Sequence, residues 1–175
     1  MYDISVVVCC YNSSERIAAT LDHLQSSELD GLSVEVIVVD NNCTDDTVAV
    51  AKALWARGDV AFKCVTESQP GLSYARKRGF DESSGEVILL VDDDNSLSPD
   101  YIRRMMNVFK KNPKVGIVGG VGELPPGLQV PSWFPQYQGR YALGPEDSAS
   151  GSVGFVYGAG LAIRRCVLLE LDKSG

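Results

Sequence analysis

Histidine is nearly missing from this sequence: His23 is the only one in 175 residues. The five cysteines do not fill the gap, because Cys9 and Cys10 are adjacent while Cys43, Cys64 and Cys166 are scattered, none at metal-ligand spacing. No zinc centre is expected, and the thiols read as reduced and mostly buried. Also missing is any apolar run near the roughly 20 residues that cross a bilayer. The first apolar stretch, between Asp3 and Asn12, is too short for a secretory leader, which leaves the cytoplasm as the expected compartment. Positive charge is scarce as well. Lys and Arg number 16 against 23 Asp and Glu, a net charge of −7. Nucleic acid, whose binding needs dense basic contacts to phosphate, is not an expected partner. An anionic ligand is compatible with that balance when a cation is recruited to bridge it. The two basic clusters, Arg76-Lys77-Arg78 and Arg103-Arg104, have the length of solvated helix faces.

What is present is apolar residue in short blocks. A chain that is 45% hydrophobic and 22% charged, of this length, makes one globular domain with a sizeable core. Residues 4–10, 34–39, 60–66, 86–91 and 115–120 read as buried strands. Helical signals lie between them. Asn12 and Glu15 have capping-box spacing ahead of Ile17, Leu21 and Leu24. Thr44 is placed to cap a helix carrying Val48, Ala51, Leu54 and Trp55, ended by Gly58. A third helix is expected over 73–82, and Ser98 with Pro99 opens a fourth that runs to Lys111. Strands that are apolar throughout, alternating with helices, predict an α/β fold: a doubly wound, mainly parallel sheet with helices on both faces. From 124 to 151 proline and glycine mix with Trp133, Phe134, Tyr137 and Tyr141 in an irregular stretch, suited either to stacking on a sugar or to packing as loop core. Apolar character resumes over 153–163, and 164–171 has the pattern of a helix.

In such a sheet, ligands bind beyond the carboxyl ends of the strands. Three expected strands end there in polar groups: Cys9-Cys10-Tyr11-Asn12, Asp40-Asn41-Asn42 and Asp92-Asp93-Asp94-Asn95. Adjacent carboxylates on one turn repel, and a hard divalent cation such as Mn²⁺ or Mg²⁺ removes the penalty. Alternation along the turn puts Asp92 and Asp94 on one side for metal and leaves Asp93 for a hydroxyl or a supporting role. The plainer alternative is a solvated acidic turn. Asp40 is an acceptor for a base N–H or a ribose hydroxyl, or closes the turn at Asn42. Arg76, early in a helix that follows Pro70-Gly71, suits a phosphate. Gly158 and Gly160 allow close backbone approach to a ligand. His23 reads as partly exposed and structural. A phospho-receiver would also cluster aspartates on a parallel sheet, but 115–120 lacks the lysine it would want.

Taken in order, these segments resemble the family-2 glycosyltransferases of GT-A, Rossmann-like fold. Ser5-Val-Val-Val-Cys-Cys-Tyr-Asn12 resembles the family's opening strand, with Cys9-Cys10 where Pro-Thr is usual. Val36-Ile-Val-Val-Asp-Asn-Asn-Cys-Thr-Asp-Asp-Thr47 is similar to its second strand and acidic turn, and Gly71-Leu-Ser-Tyr-Ala-Arg-Lys-Arg-Gly79 to its Gly–Ala-Arg–Gly segment. Ile88-Leu-Leu-Val-Asp-Asp-Asp-Asn95 resembles the Asp-X-Asp motif, and Gly158-Ala-Gly-Leu-Ala-Ile-Arg-Arg165 the later Gly-rich segment. The resemblance implies a nucleotide-sugar donor, a uridine diphosphate sugar by preference, and a saccharide or lipid-linked saccharide acceptor attacked with inversion. It places Cys9, Tyr11, Glu15 and Asp40 around base and ribose, Arg76 near the diphosphate or base, Asp93 at the ribose, and Asp94 on the metal with Asp92. It also divides the single domain, 1–175, into a donor half (1–123) and an acceptor-side portion (124–175) that reads as truncated. The family's general base commonly sits in an acidic pair further downstream than this sequence runs. Glu146-Asp147 lies upstream of that place, and Asp147 is only a weak candidate. A nucleotide-sugar-binding fragment without turnover is the alternative reading. Many members of the family work at the inner membrane face, so a peripheral location there is compatible with the sequence.

Overall fold

Val and Ile occupy both faces of the central strands, and a strand with two apolar faces is stable only where both are covered. The structure, a computed structural model describing residues 2–125, 127–141, 143 and 156–174, covers both. Strands β1 (Ile4–Cys10), β2 (Val34–Asp40), β3 (Ala61–Thr66), β4 (Val87–Asp92), β5 (Ile117–Val118) and β6 (Ala162–Arg164) form one sheet in the order β3-β2-β1-β4-β6-β5. The first four are mutually parallel, and β6 runs antiparallel to β4 and β5. The helices are α1 (Ile17–Gln25), α2 (Thr47–Leu54), α3 (Leu72–Glu82), α4 (Tyr101–Lys111) and α5 (Arg165–Ser174). On one face Val6, Val8, Val36 and Leu89 meet Leu21 of α1, Ala51 of α2 and Ile102 and Phe109 of α4. On the other, Val7, Ile37 and Leu90 meet Ala75 of α3 and Leu168 of α5. The expected mainly parallel, doubly wound α/β fold is present.

Local differences have local causes. The expected strand over 115–120 shrinks to two residues, because Gly116, Gly119 and Gly120 offer no side chains to pack. The irregular stretch from 124 contains a 3-10 helix, Phe134–Tyr141, in which Phe134 is buried while Trp133, Tyr137 and Tyr141 are exposed. The capping box does not form. Asn12 has φ +48° and its Oδ1 accepts the Thr44 N–H at 2.7 Å, so α1 starts later, on the Ser13 carbonyl. Nor does Thr44 cap α2; Asp45 Oδ1 takes the Thr47 N–H at 3.1 Å, and the helix stops at Leu54, short of Gly58. His23 is partly exposed, as expected, and all five cysteines are free thiols, with Cys166 exposed. Both basic clusters are engaged in ion pairs: Lys77 with Asp81, Arg78 with Glu82, and Arg103 with Glu28. Among the described residues no helix is long and apolar enough to cross a membrane.

One buried charge sits at the end of the sheet away from the acidic tip. Glu35 is 5% exposed, and its Oε1 accepts from Ser5 Oγ (2.6 Å), Ser84 N–H (2.6 Å) and Ser84 Oγ (2.9 Å). Burial pushes its carboxyl up, but the hydrogen bonds and nearby Lys63 outweigh that and hold it below the ordinary glutamate range. Its contribution is therefore present at neutral pH and lost as pH falls through its lowered folded value. Glu35→Gln should cost about 2 kcal/mol at pH 7, and the gap to wild type should narrow as pH drops toward 3. Urea unfolding across that pH range measures both.

Candidate functional site

The carboxyl ends of β1, β2 and β4 open into a cleft of about 390 Å³. Its floor is Cys9 and Cys10 from β1 with Asn41 from the end of β2. One wall is Leu72 and Ala75 from the first turn of α3, and the rim carries Tyr11, Arg16 and the acidic tip, Asp92, Asp93 and Asp94. Tyr11 is 62% exposed, so its ring stands free at the edge. Burial, ahead of the charges of Arg76, Asp92 and Asp93, pushes the Cys9 thiol up to about 12, and Cys10 is raised further. Both are neutral at physiological pH, so the β1 tip brings no anion to the cleft.

The three aspartates point to different partners. Asp92 Oδ1 lies 3.7 Å from Arg76 Nη2, a loose pair with 39% of the Asp92 side chain exposed. Burial raises the Asp92 carboxyl; Arg76 opposes the shift, while Asp94 and Asp93 add to it. Asp93 turns the other way, where its Oδ2 accepts from Ser13 Oγ and from Arg16 Nη2 at 3.1 Å. Asp94 is exposed and has no hydrogen-bond partner among the described residues. Among the described residues no group of three or more His, Cys, Asp or Glu side chains is arranged to enclose a metal ion. Hard carboxylate oxygens are nevertheless present at the tip, of the kind that bind Mg²⁺ or Mn²⁺ through one or two residues plus phosphate and water.

The other expected residues are arranged as follows. Asp40 ends β2 outside the cleft lining, and its Oδ1 accepts the Cys43 N–H at 2.9 Å, closing the turn at Asn42 (φ +64°). Glu15 is exposed and also outside the lining. Arg76 stands behind Asp92, and a Cβ on Gly158 would come within 2.7 Å of its guanidinium. Gly158 thus makes room for Arg76, and Gly160 (φ +72°) for Tyr101, whose hydroxyl donates to the Gly160 carbonyl. The close approach expected there for a ligand is taken by side chains of the protein. Glu146 and Asp147 lie outside the described residues.

Two contributors were not singled out from sequence. Asn41 is 6% exposed; its Nδ2 donates to the carbonyls of Glu67 (3.0 Å) and Gln69 (2.7 Å), and its Oδ1 accepts the Gly71 N–H (2.8 Å). It fixes the loop before α3 and so the wall of the cleft. Arg16, in the β1–α1 loop, is the guanidinium that lines the cleft. An Asn directly after a Val-Ile strand was the available signal for the first; nothing in the local pattern marked the second.

A parallel sheet with an acidic cleft at the carboxyl edge of its central strands defines a ligand-binding α/β domain of the nucleotide-binding type. The sequence matches Glycosyl transferase family 2 over residues 5–171, and the chain belongs to that family. It is 29% identical over 174 residues to the glucosyl-dolichyl phosphate glucuronosyltransferase of Haloferax volcanii, covering 96% of this chain and 54% of that protein. To the dolichol-phosphate mannosyltransferase of Pyrococcus furiosus it is 31% identical, over 65% of this chain and 32% of that protein. The chain thus spans about half the length, or less, of these relatives. Among solved structures, the mannosyltransferase PcManGT from Pyrobaculum calidifontis in complex with GDP-Man and Mn²⁺ superimposes with a TM-score of 0.76 at 23% identity, over 97% of this chain and 46% of that one. S. aureus TarS in complex with UDP-GlcNAc gives 0.73 at 19% identity, over 97% and 47%. These likenesses show the GT-A glycosyltransferase fold.

Proposed function

We propose that the cleft binds a nucleoside diphosphate sugar, with a UDP-sugar as donor, and that the whole protein transfers the sugar to an acceptor hydroxyl with inversion at the anomeric carbon. The observation that carries this reading is the juxtaposition, in one 390 Å³ cleft, of a free aromatic ring (Tyr11) and three carboxylates, with two guanidiniums beside them. Tyr11 stacks on the base, with Cys9, Asp40 and Glu15 around the nucleoside; Glu15, outside the lining, reaches it only from the rim. Asp93 faces the ribose with the carboxylate that Ser13 and Arg16 steady. Arg76 offsets charge on the diphosphate.

Asp92 and Asp94 hold Mn²⁺ or Mg²⁺, with diphosphate oxygens and water completing the shell. The raised Asp92 carboxyl supports this, since a tip whose acids repel is relieved by a doubly charged ion. A bound cation supplies Lewis-acid stabilisation of the leaving diphosphate. The general base comes from chain downstream of Gly175, with Asp147 as the weaker choice. Residues 1–123 form the donor half and 124–175 part of the acceptor side. The acceptor is a saccharide or lipid-linked saccharide, in keeping with the dolichyl-phosphate relatives, and the place of action is the cytoplasm or the inner membrane face.

Calorimetric binding of UDP-sugars and GDP-mannose with and without Mn²⁺, paired with an assay for released nucleoside diphosphate in the presence of lipid-linked saccharide, tests the reading. Mn²⁺-dependent binding with release supports transfer. Binding without release supports a nucleotide-sugar-binding role alone. Failure of every nucleotide to bind, with metal present, overturns both.

A further inference from the structure

Two hydroxyl side chains at the cleft rim, Ser13 and Thr47, are completely buried. A buried hydroxyl must place its proton and lone pairs on fixed partners. Thr47 Oγ1 accepts the Ser13 N–H at 2.7 Å and donates to Asp45 Oδ1. Asp45 also accepts the Thr47 N–H (3.1 Å) and, on Oδ2, the Ser14 N–H (3.0 Å). The carbonyl of Ser13 takes the N–H groups of Arg16 and Ile17, both at 2.9 Å, and its hydroxyl donates to Asp93 while accepting from Arg16 Nη2 at 3.3 Å. Every polar atom of Ser13 is therefore engaged. A continuous chain of hydrogen bonds, Asp45–Thr47–Ser13–Asp93, runs from the β2–α2 loop through the β1–α1 loop to the tip of β4. Neither Asp45 nor Thr47 lines the cleft.

We propose that Asp45 and Thr47 are positioning residues of the donor cleft: acting through Ser13, they hold Asp93 aside and so fix the directions in which Asp92 and Asp94 present their carboxylates. The physical need is clear from the sequence of the tip. Three consecutive acids on one turn have equal chemical claim to a cation, and a side chain free to rotate would compete for it. Tying the middle one to a buried, overdetermined serine, with Arg16 offsetting its charge, removes the competitor. The hydrogen bonds from Thr47, then that from Ser14, hold the Asp45 carboxyl far below the usual carboxylate range, so the anchor stays charged well into acid. The inference rests on the cleft being the metal-dependent nucleotide site proposed above.

Thr47→Val keeps the side-chain shape and removes both hydroxyl bonds; Asp45→Asn weakens the anchor at a partly exposed position; Thr47→Ser restores the hydroxyl. Two readouts keep this inference separate from the function it builds on. The first, in the protein without ligand, is hydrogen exchange of the Asp92 and Asn95 amides, which bond across the tip turn to Asn95 Oδ1 (2.9 Å) and the Asp92 carbonyl (3.1 Å). The second is the affinity for UDP with and without Mn²⁺. The expected result for Thr47→Val and Asp45→Asn is about tenfold faster tip exchange and about tenfold weaker Mn²⁺-dependent UDP binding, with metal-free binding unchanged and Thr47→Ser equal to wild type. Unchanged tip exchange in both variants overturns the proposal. So does faster exchange with unaltered metal-dependent affinity. If wild type binds no nucleoside diphosphate with Mn²⁺, the functional reading fails by itself and the exchange result alone decides whether the chain holds the tip.

Discussion

Asp94→Ala is expected to abolish the Mn²⁺-dependent stabilisation by UDP while leaving the unliganded protein at least as stable as wild type. Asp94 is exposed and has no hydrogen-bond partner among the described residues, so its removal breaks no contact. It also takes away a charge that helps to raise the Asp92 carboxyl. With nucleotide at about a hundredfold above its dissociation constant, wild type gains about 2.7 kcal/mol. For a domain of this size that is a rise of roughly 5–10 °C in Tm. Thermal unfolding with UDP, with and without Mn²⁺, reads the difference directly. A variant that keeps the full metal-dependent rise places the cation elsewhere and removes the tip from the donor site.

The largest loss of stability from a single added methyl group should come from Gly85→Ala. Gly85 is buried in the turn between α3 and β4, where a Cβ would lie 2.5 Å from the Ser5 nitrogen and 2.6 Å from the Ile4 carbonyl carbon. Both are backbone atoms of β1, which is paired on both sides by β2 and β4, so neither gives way without displacing the centre of the sheet. The Gly85 N–H also donates to Ser5 Oγ at 2.8 Å, and its carbonyl accepts from Arg165 Nε at 2.8 Å. The expected cost is about 3 kcal/mol, or a fall of roughly 10 °C in Tm. Gly58→Ala, where a Cβ meets nothing within 4 Å, is the matched control and should unfold with wild type. Equal melting of the two variants would mean that the turn is looser than the structure shows.

Both sites were legible in the sequence to different depths. Asp92, Asp93 and Asp94 stand out because an almost purely apolar strand runs straight into them, and the fold class follows from strands with no polar face. The two sides of the sheet could be anticipated for the same reason: alternate residues of β1, such as Val6 and Val7, pack into separate clusters. The helices expected over 73–82 and up to Lys111 appear as α3 and α4 because their signals are local, with apolar spacing bounded by Pro and Gly.

Where the reading departed from the structure, the competing partner was distant in sequence. Asn12 has the right spacing to cap α1 with Glu15, but a backbone N–H at Thr44, 32 residues away, takes its side chain. Thr44 in turn leaves α2 to Asp45. Gly158 and Gly160 suggested a ligand, whereas they accommodate Arg76 and Tyr101 from other elements. Arg16 and Asn41 acquire their place in the cleft only when three loops converge.

The sequence by itself determined which segments are strands and helices, that both faces of the sheet would be covered, and that acids would gather at its carboxyl edge. Those properties depend on periodicity and on burial of apolar area, which neighbouring residues carry between them. Tertiary structure alone decided that Asp93 faces Ser13 and Arg16 while Asp92 faces Arg76, that Asn41 holds the loop before α3, and that Asp45 anchors the rim. Those outcomes are set by hydrogen bonds, whose short range and directionality give them meaning only after distant loops have been brought within about 3 Å of one another.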